Sequence, residues 1–465
     1  MRQVSDEEWP IVVGLAGVGA ILSWTGLSES GLEISVIWIS LGALVLLVLS
    51  PVLATARGLR ARVCGEKLRR LATDPVFLMS LGFCLLLLAQ WSNSGRALIY
   101  FPFEREWRHT NPPGAWLPWA FRREESRQML IWFLPFFAAV TCLRHGLRGG
   151  AVRVLYAAMC LNAVVLAIYG LHGLTQVVYN PKVMVPPDRF ATFTYQNHAG
   201  AFFLLILALA SGLAASSAPR TGRKSCYTLV AVFVVVAMLA AAAAFLSLSR
   251  ATFLLVICYL IGVGVWIGVT YLPRLGPSGR LQLGMVVIVL VISAVLLVAG
   301  GNRKWMVREL GGLTPSRIKE SILSRDRRFQ IDAAFRIWLD YPVYGVGGWG
   351  YRHLLPLYID QEDSHRMRSG TANVHSDPIQ FLTEFGVLGA GLLLGVLCVT
   401  VLPLCQPGAC NSRILMFPLT GCLMLTAWSC VDLPFRHPAV LYYWGVGLAG
   451  SAVFARERLA RGARR

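Results

Sequence analysis

Residues 227–271 read YTLVAVFVVVAMLAAAAAFLSLSRATFLLVICYLIGVGVWIGVTY, two apolar runs of about twenty residues meeting at Ser249-Arg250. A helix rises 1.5 Å per residue, so each run has the length needed to cross ~30 Å of hydrocarbon. Similar blocks recur from end to end of the chain. The expected spans are 10–27, 33–55, 75–92, 129–143, 152–174, 197–215, 227–247, 251–271, 281–300, 379–403, 413–430 and 438–455. The 465 residues are 56% hydrophobic and 14% charged, where a soluble protein carries about a quarter charged residues. No separate soluble catalytic domain fits between the blocks. The expectation is an all-α, polytopic integral membrane protein with about 12 transmembrane helices. Nine spans fall in 1–300, a large loop in 301–378, and three spans with a basic tail in 379–465.

A net charge of +19 invites a nucleic-acid reading, and its distribution argues against one. Nucleic-acid binders cluster Lys and Arg on one face of a folded domain. Here the excess sits in short connections: Arg57, Arg60, Arg62, Lys67, Arg69 and Arg70; then Arg144, Arg148 and Arg153; then Arg220, Arg223 and Lys224. Arg456, Arg458, Arg461, Arg464 and Arg465 close the chain. With the N-terminus cytoplasmic, alternation of the spans puts these clusters and the C-terminus on one side, which is the positive-inside pattern. The first apolar block follows Asp6, Glu7 and Glu8 rather than a basic region, so it reads as a retained helix and not a cleavable signal. The eleven cysteines are scattered and none lies in the largest polar loop, so neither structural disulfides nor a zinc site at Cys405 and Cys410 is expected.

Two outward loops are long. Residues 93–128 mix Tyr100, Phe101, Phe103, Trp107, Trp116, Trp119 and Phe121 with Arg and Glu, a composition suited to the headgroup region or to a substrate. Residues 301–378 contain a helical pattern from Phe329 to Leu339, with Phe329, Ala333, Phe335, Ile337 and Trp338 as packing candidates. After Asp340 comes Tyr341-Pro-Val-Tyr-Gly-Val-Gly-Gly-Trp-Gly350. Its glycines do not follow a strand, so it reads as a turn permitting close backbone approach, not a dinucleotide site.

Ionisable groups on the outer side carry the candidate chemistry. Arg250 starts a span, and Arg325, Arg327, Arg328 and Arg336 cluster in the long loop. Guanidinium groups there suit a phosphate-bearing ligand, or alternatively lipid headgroups and nearby aspartates. His375, in Asn373-Val-His375-Ser-Asp-Pro378, stands at the outer mouth of a span, where a neutral imidazole works as a base or as a polar loop residue. Pro378 suits the first turn of that helix and Asp377 its cap. Asn197 and His198 open another span, as ligand contacts or ordinary capping groups. Glu384 lies about two turns into its span, a costly depth for a carboxylate; it either contacts substrate or orients an arginine. Asp432 and Arg436 lie at the outer junction before the last span.

His375-Ser376, nine residues, then Gly386-Val-Leu-Gly389 resembles a signature of the bacterial O-antigen ligases. Ser249-Arg250, Arg327 ahead of Pro342-Val-Tyr-Gly345-Val-Gly347, and Tyr195-Gln-Asn197-His198-Ala-Gly200 are similar to features of the wider O-antigen ligase and polymerase superfamily. The resemblance covers roughly 190–390. It implies an inverting, metal-independent glycosyltransferase of the GT-C type in the bacterial inner membrane, its large loop periplasmic. The donor would be a glycan on a polyprenyl diphosphate (undecaprenyl diphosphate), the acceptor lipid A-core or another glycan, and no cofactor would be needed. Arg250 and Arg327 would hold the diphosphate, with Arg328 and Arg336 as substitutes, and His375 would be the base. The same resemblance leaves open a polymerase of lipid-linked repeat units. A transporter or flippase for lipid-linked sugars would need charges deep in several helices and inverted repeats, which the sequence does not display.

Overall fold

In the computed structural model, the described residues are 4–24, 37–47, 60–96, 98–110, 112–114, 116–179, 190–218, 227–271, 276, 325–359, 373–410 and 412–463. Their backbone is mostly helical. In chain order the helices are α1 (Trp9–Trp24), α2 (Ile37–Leu47), α3 (Arg60–Ala72), α4 (Pro75–Ser92), α5 (Arg123–Gly146), α6 (Gly149–Tyr179), α7 (Gln196–Ser217), α8 (Tyr227–Leu246) and α9 (Arg250–Tyr271). Beyond them come α10 (Arg325–Asp340), the short α11 (Gly350–Leu354), α12 (Asp377–Val401), α13 (Arg413–Ser429) and α14 (Pro438–Gly462).

Among the described residues eight helices are long and apolar enough to cross a membrane: α4 to α9, α12 and α14. Three shorter apolar helices, α1, α2 and α13, fall on the other expected spans. The span expected at 281–300 lies outside the described residues, as do 301–324 and 360–372 of the long loop.

The helices sort by how much lipid they meet. The most hydrophobic windows of α7 and α14 are 89% and 94% buried, against 22% and 17% for α8 and α9. α7 and α14 are therefore the axis of the bundle. Close approach there rests on small residues, since apolar side chains gain little by leaving lipid for one another. A Cβ on Gly200 of α7 would stand 2.0 Å from Thr252 of α9, and one on Gly445 of α14 2.4 Å from Phe136 of α5. The uniformly apolar α8 and α9 instead present Val232, Val235, Ile261, Val265 and Val269 outward, as lipid-facing helices do.

Contacts between helix ends form two groups, as alternating spans require. At one end Asp74, before α4, meets Arg144 and His145 at the end of α5. Glu8 accepts the Arg148 N–H, Glu457 of α14 accepts the Gly149 N–H, and Arg456 donates to the Arg144 carbonyl. This is the basic end. The opposite end collects the starts of α5, α7 and α12, the α13–α14 turn and residues 325–359.

That second end has its own small apolar core: Trp119, Phe121, Phe329, Ala333, Ala334, Ile337, Val346, Tyr351, Leu354, Leu355 and Val374. The two long loops thus pack together. Of the packing candidates on α10, Phe329, Ala333 and Ile337 are buried at four-residue spacing, as one helix face requires. Phe335 is exposed and Trp338 half-buried. Phe335 falls about 240° around the helix from Phe329, on the far side. Trp119 and Phe121 belong to this core, whereas Phe103 and Trp116 are exposed, so the aromatic loop has both packed and free members. The all-α expectation needs one amendment, an antiparallel hairpin of β1 (Leu98–Phe101) and β2 (Glu106–His109) pairing Tyr100 with Trp107.

Candidate functional site

The site is organised by a broken helix. Inside α12, Gly386 has φ 63° and ψ −172°, which interrupts the hydrogen-bond ladder. An unbroken helix would bond the Val387 N–H to the Thr383 carbonyl and the Leu388 N–H to the Glu384 carbonyl. The turn after α10 takes all four places. Val346 N donates to Thr383 O at 3.1 Å and Gly347 N to Glu384 O at 2.9 Å. Val387 N donates to Pro342 O at 2.8 Å and Leu388 N to Val343 O at 3.1 Å. At membrane depth no water is available for these groups, so a break in a spanning helix persists only where protein completes it. Gln90 of α4 steadies the same turn by donating to Tyr344 O.

The insertion explains two of the glycines. Gly345 has φ +67°, and a Cβ there would lie 2.4 Å from the Glu384 carbonyl carbon. A Cβ on Gly386 would lie 2.3 Å from Val343 O. The two glycine motifs noted in the sequence are therefore the two halves of one interlock.

About two helical turns before Glu384, the chain enters α12 through His375. Ser376, not Asp377, is the N-cap residue; Asp377 is already helical. Its Oδ2 accepts the Phe435 N–H at 2.9 Å, and its own N–H donates to the Asp432 carbonyl at 3.2 Å. The start of α12 is thus tied to the α13–α14 turn. His375 has φ +54°, the left-handed region that a non-glycine residue rarely enters. Its Nδ1 lies 3.6 Å from Asp432 Oδ1 and has no hydrogen-bond partner. The side chain keeps 26% exposure, so the imidazole reaches solvent.

Asp432 is the hub. Oδ2 accepts from Asn197 Nδ2 at 2.5 Å, and Oδ1 accepts the Leu433 N–H at 2.9 Å. Asn197 therefore crosslinks α7 to the turn, and also donates to the Tyr195 hydroxyl. His198 contacts the Leu433 carbonyl at 3.0 Å, so it braces the same turn. Arg327, within the first turn of α10, donates to the Val431 carbonyl at 2.8 Å, one residue from Asp432. Arg250 begins α9, two residues before Thr252, which packs on Gly200 one turn below Asn197. Arg250, Arg327, Asn197 and His375 thus stand at one end of the bundle. Arg328 and Arg336 are exposed on α10.

Glu384 is fully buried and pairs with Arg436, whose Nη2 lies 2.6 Å from Glu384 Oε2. Arg436 is itself only 3% exposed in its side chain, and its Nε and Nη1 have no hydrogen-bond partner. The guanidinium stands over the Trp349 and Phe381 rings, 4.9 and 5.4 Å from their centroids. Trp349, at φ +62°, also faces Arg352, which pairs with Glu125 of α5 alongside His353. At the start of α14, His437 is half-buried, and desolvation holds its imidazole well below the ordinary value, with the nearby His198 acting in the same direction. Its neutral Nδ1 accepts the Ala439 N–H at 3.3 Å and caps the helix.

Asp432 and Arg436 drew notice in the sequence only as ionisable groups at a junction. Their partners lie far away in the chain, and nothing local announces them. Gln380, treated below, did leave a signal: a polar side chain one turn from both Ser376 and Glu384 in an apolar block. Among the described residues no cluster of three or more His, Cys, Asp or Glu is placed to hold a metal ion.

Residues 233–394 match the family model described as O-antigen ligase. The similarity covers about a third of the chain. It runs from α8 to the middle of α12, taking in Arg250, Arg327, the Pro342–Gly347 turn, His375, Glu384 and Gly386. Asn197, Asp432 and Arg436 lie outside the matched segment and join it through the contacts above. No curated protein matches the chain.

Proposed function

We propose that the protein is a membrane glycosyltransferase that moves a glycan from a polyprenyl-diphosphate carrier to an acceptor hydroxyl, and that the acceptor is lipid A-core. The observation that carries this reading is His375, half-exposed beside the buried Asp432, within the segment that matches the O-antigen ligase model. The basic end faces the cytoplasm of the inner membrane in this reading, because positive loops stay inside. The His375 end is then periplasmic, where a lipid-linked glycan is presented.

The reaction is a single displacement in a GT-C-type site. An acceptor hydroxyl attacks the anomeric carbon while its proton passes to His375. With Nδ1 turned to Asp432, the accepting atom is Nε2. Asp432 stabilises the imidazolium that forms, as a buried carboxylate does beside a catalytic histidine. The bond from the anomeric carbon to the diphosphate oxygen breaks on the opposite face, which inverts the centre. Arg250 and Arg327 take up charge developing on the polyprenyl diphosphate, with Arg328 and Arg336 nearby on α10. No step calls for a metal or cofactor. Glu384 acts indirectly, through Arg436, and Asn197 and His198 hold the turn that carries Asp432.

The test is His375→Ala in proteoliposomes supplied with lipid-linked glycan and lipid A-core. A positioned general base contributes about 10²–10⁴-fold, so transfer should fall by that much with the melting temperature unchanged. Transfer at the normal rate would overturn the assignment. A deletion strain separates the branches: long glycans left on the carrier identify a ligase, single repeat units a polymerase, and carrier-linked glycan confined to the cytoplasmic leaflet a flippase.

A further inference from the structure

Gln380 sits between the two charged pairs of the site, and its side-chain hydrogen bonds go to neither His375 nor Asp432. Its side chain is fully buried one turn into α12. Two of its three side-chain hydrogen bonds go to the approach to His375, and the third to Glu384. Oε1 accepts the Val374 N–H at 3.1 Å. Nε2 donates to Asn373 Oδ1 at 3.1 Å and to Glu384 Oε1 at 3.0 Å. Only this orientation of the amide serves all three, since a backbone N–H needs an acceptor and a carboxylate needs a donor.

These bonds close a ring. Val374 and Asn373 precede His375, and Gln380 ties them to Glu384. Glu384 pairs with Arg436, which shares the α13–α14 turn with Asp432 through the Arg436 N–H to Leu433 O bond. Asp432 then faces His375. The ring encloses a residue in a strained backbone conformation, and such a conformation persists only where its surroundings over-determine it. Downstream, the Asp377 N–H to Asp432 carbonyl bond pins His375; upstream, Gln380 does so.

We propose that Gln380 is a positioning residue, closing a Gln380–Glu384–Arg436 relay that holds His375 in register with Asp432. The proposal rests on His375 being the base and deepens that reading. Without the amide, the backbone at His375 relaxes out of the left-handed region and the imidazole leaves Asp432. A small misplacement of a catalytic group costs far more in turnover than in binding. If Gln380 served only to satisfy buried polar atoms, its loss would lower the folded fraction and leave turnover per folded molecule intact.

The full-length protein in proteoliposomes tests this with Gln380→Met, which keeps the volume and removes the amide. The expected result is a kcat lower by ~10²-fold with the donor KM within about twofold of wild type. Carbethoxylation of His375 by diethyl pyrocarbonate, followed by peptide mass spectrometry, should become faster as the ring is released; this readout does not depend on transferase activity. If Gln380→Met fails to fold, Gln380→Glu decides: it is isosteric, still accepts from Val374, and sets two carboxylates together. Its carboxylate cannot donate to Asn373 or Glu384, so the same fall in kcat is expected. A normal kcat in the Gln380 variants with inactive His375→Ala overturns the relay alone, as does a loss that tracks only the folded fraction. Full activity in His375→Ala overturns the function reading and the relay with it.

Discussion

At the basic end of the bundle, Asp74 is met by Arg144 at 2.8 Å and by His145 at 3.2 Å, and it also caps α4 through the Phe77 N–H. At the other end, His375 Nδ1, Asp377 Oδ1, Trp349 Nε1 and two nitrogens of Arg436 are buried with no hydrogen-bond partner. Both ends hold carboxylates and cations at the margins of spanning helices. At the first they are matched to one another and fasten helix termini. At the second, partners are left over, and buried orphans of this kind are uncommon in native structures away from functional sites. Two backbone strains, at Trp349 and His375, fall at the same end. One end is built for orientation and cohesion, the other retains bonding capacity for something else.

The sharpest way to break this comparison is through the Glu384–Arg436 pair, the most deeply buried ion pair among the described residues. Arg436→Ala strands a charge on Glu384, and removing one partner of a buried pair costs about 3–5 kcal/mol. The double variant Arg436→Met with Glu384→Met should be the more stable of the two, because no charge is left behind. Thermal melting in detergent measures both. If the pair fastens helices as Asp74 does, the double variant keeps transfer; if it serves the site, the double variant is stable and slow.

Asp74→Ala is the counterpart at the basic end. It removes a helix cap and the acceptor of charged hydrogen bonds, together worth about 1–3 kcal/mol. The loss should appear in melting temperature alone, with transfer per folded molecule unchanged. Slower turnover in the folded fraction would mean that the two ends are coupled.

The difference between the ends also explains which parts were legible in the sequence. Hydropathy and helix length are local, so the block at 75–92 matches α4 to the residue, and the basic loops already named Arg144, Arg148 and Arg456 at the first end, though not Asp74, His145 or Glu457. The turn glycines were legible as a demand for close approach, because Gly345 and Gly386 tolerate no Cβ. What they approach was not. The interlock joins residues about forty apart in sequence, and the Glu384–Arg436 pair spans more, so tertiary packing decides them. Phe335 shows the same limit on a smaller scale, being apolar on a helical stretch yet turned away from the core. The hairpin at Leu98–Phe101 was hidden by an aromatic content that suits a membrane surface equally well.

Acidification offers the gentlest way to separate the two ends. Burial would raise the Asp74 carboxyl, but hydrogen bonds from His145 and Arg144 outweigh it and hold the group below its ordinary value of 3.8. Its stabilisation is complete above that value and is lost as pH falls through the lower folded-state one. His437 is depressed from an ordinary value of 6.5, chiefly by burial. The unfolded chain therefore binds its proton first, so stability is full above about pH 6.5 and declines as pH falls toward the folded value. Protonation also costs the Nδ1 acceptor that caps α14. Between roughly pH 6 and 4 the His437 end should loosen while the Asp74 end holds. Hydrogen exchange should show faster amides at the start of α14 before any change at α4. His437→Asn supplies a cap that does not titrate, and should flatten the stability profile in that window. Simultaneous opening at both ends would mean that the bundle transmits strain along its length, and that its two ends are one cooperative unit.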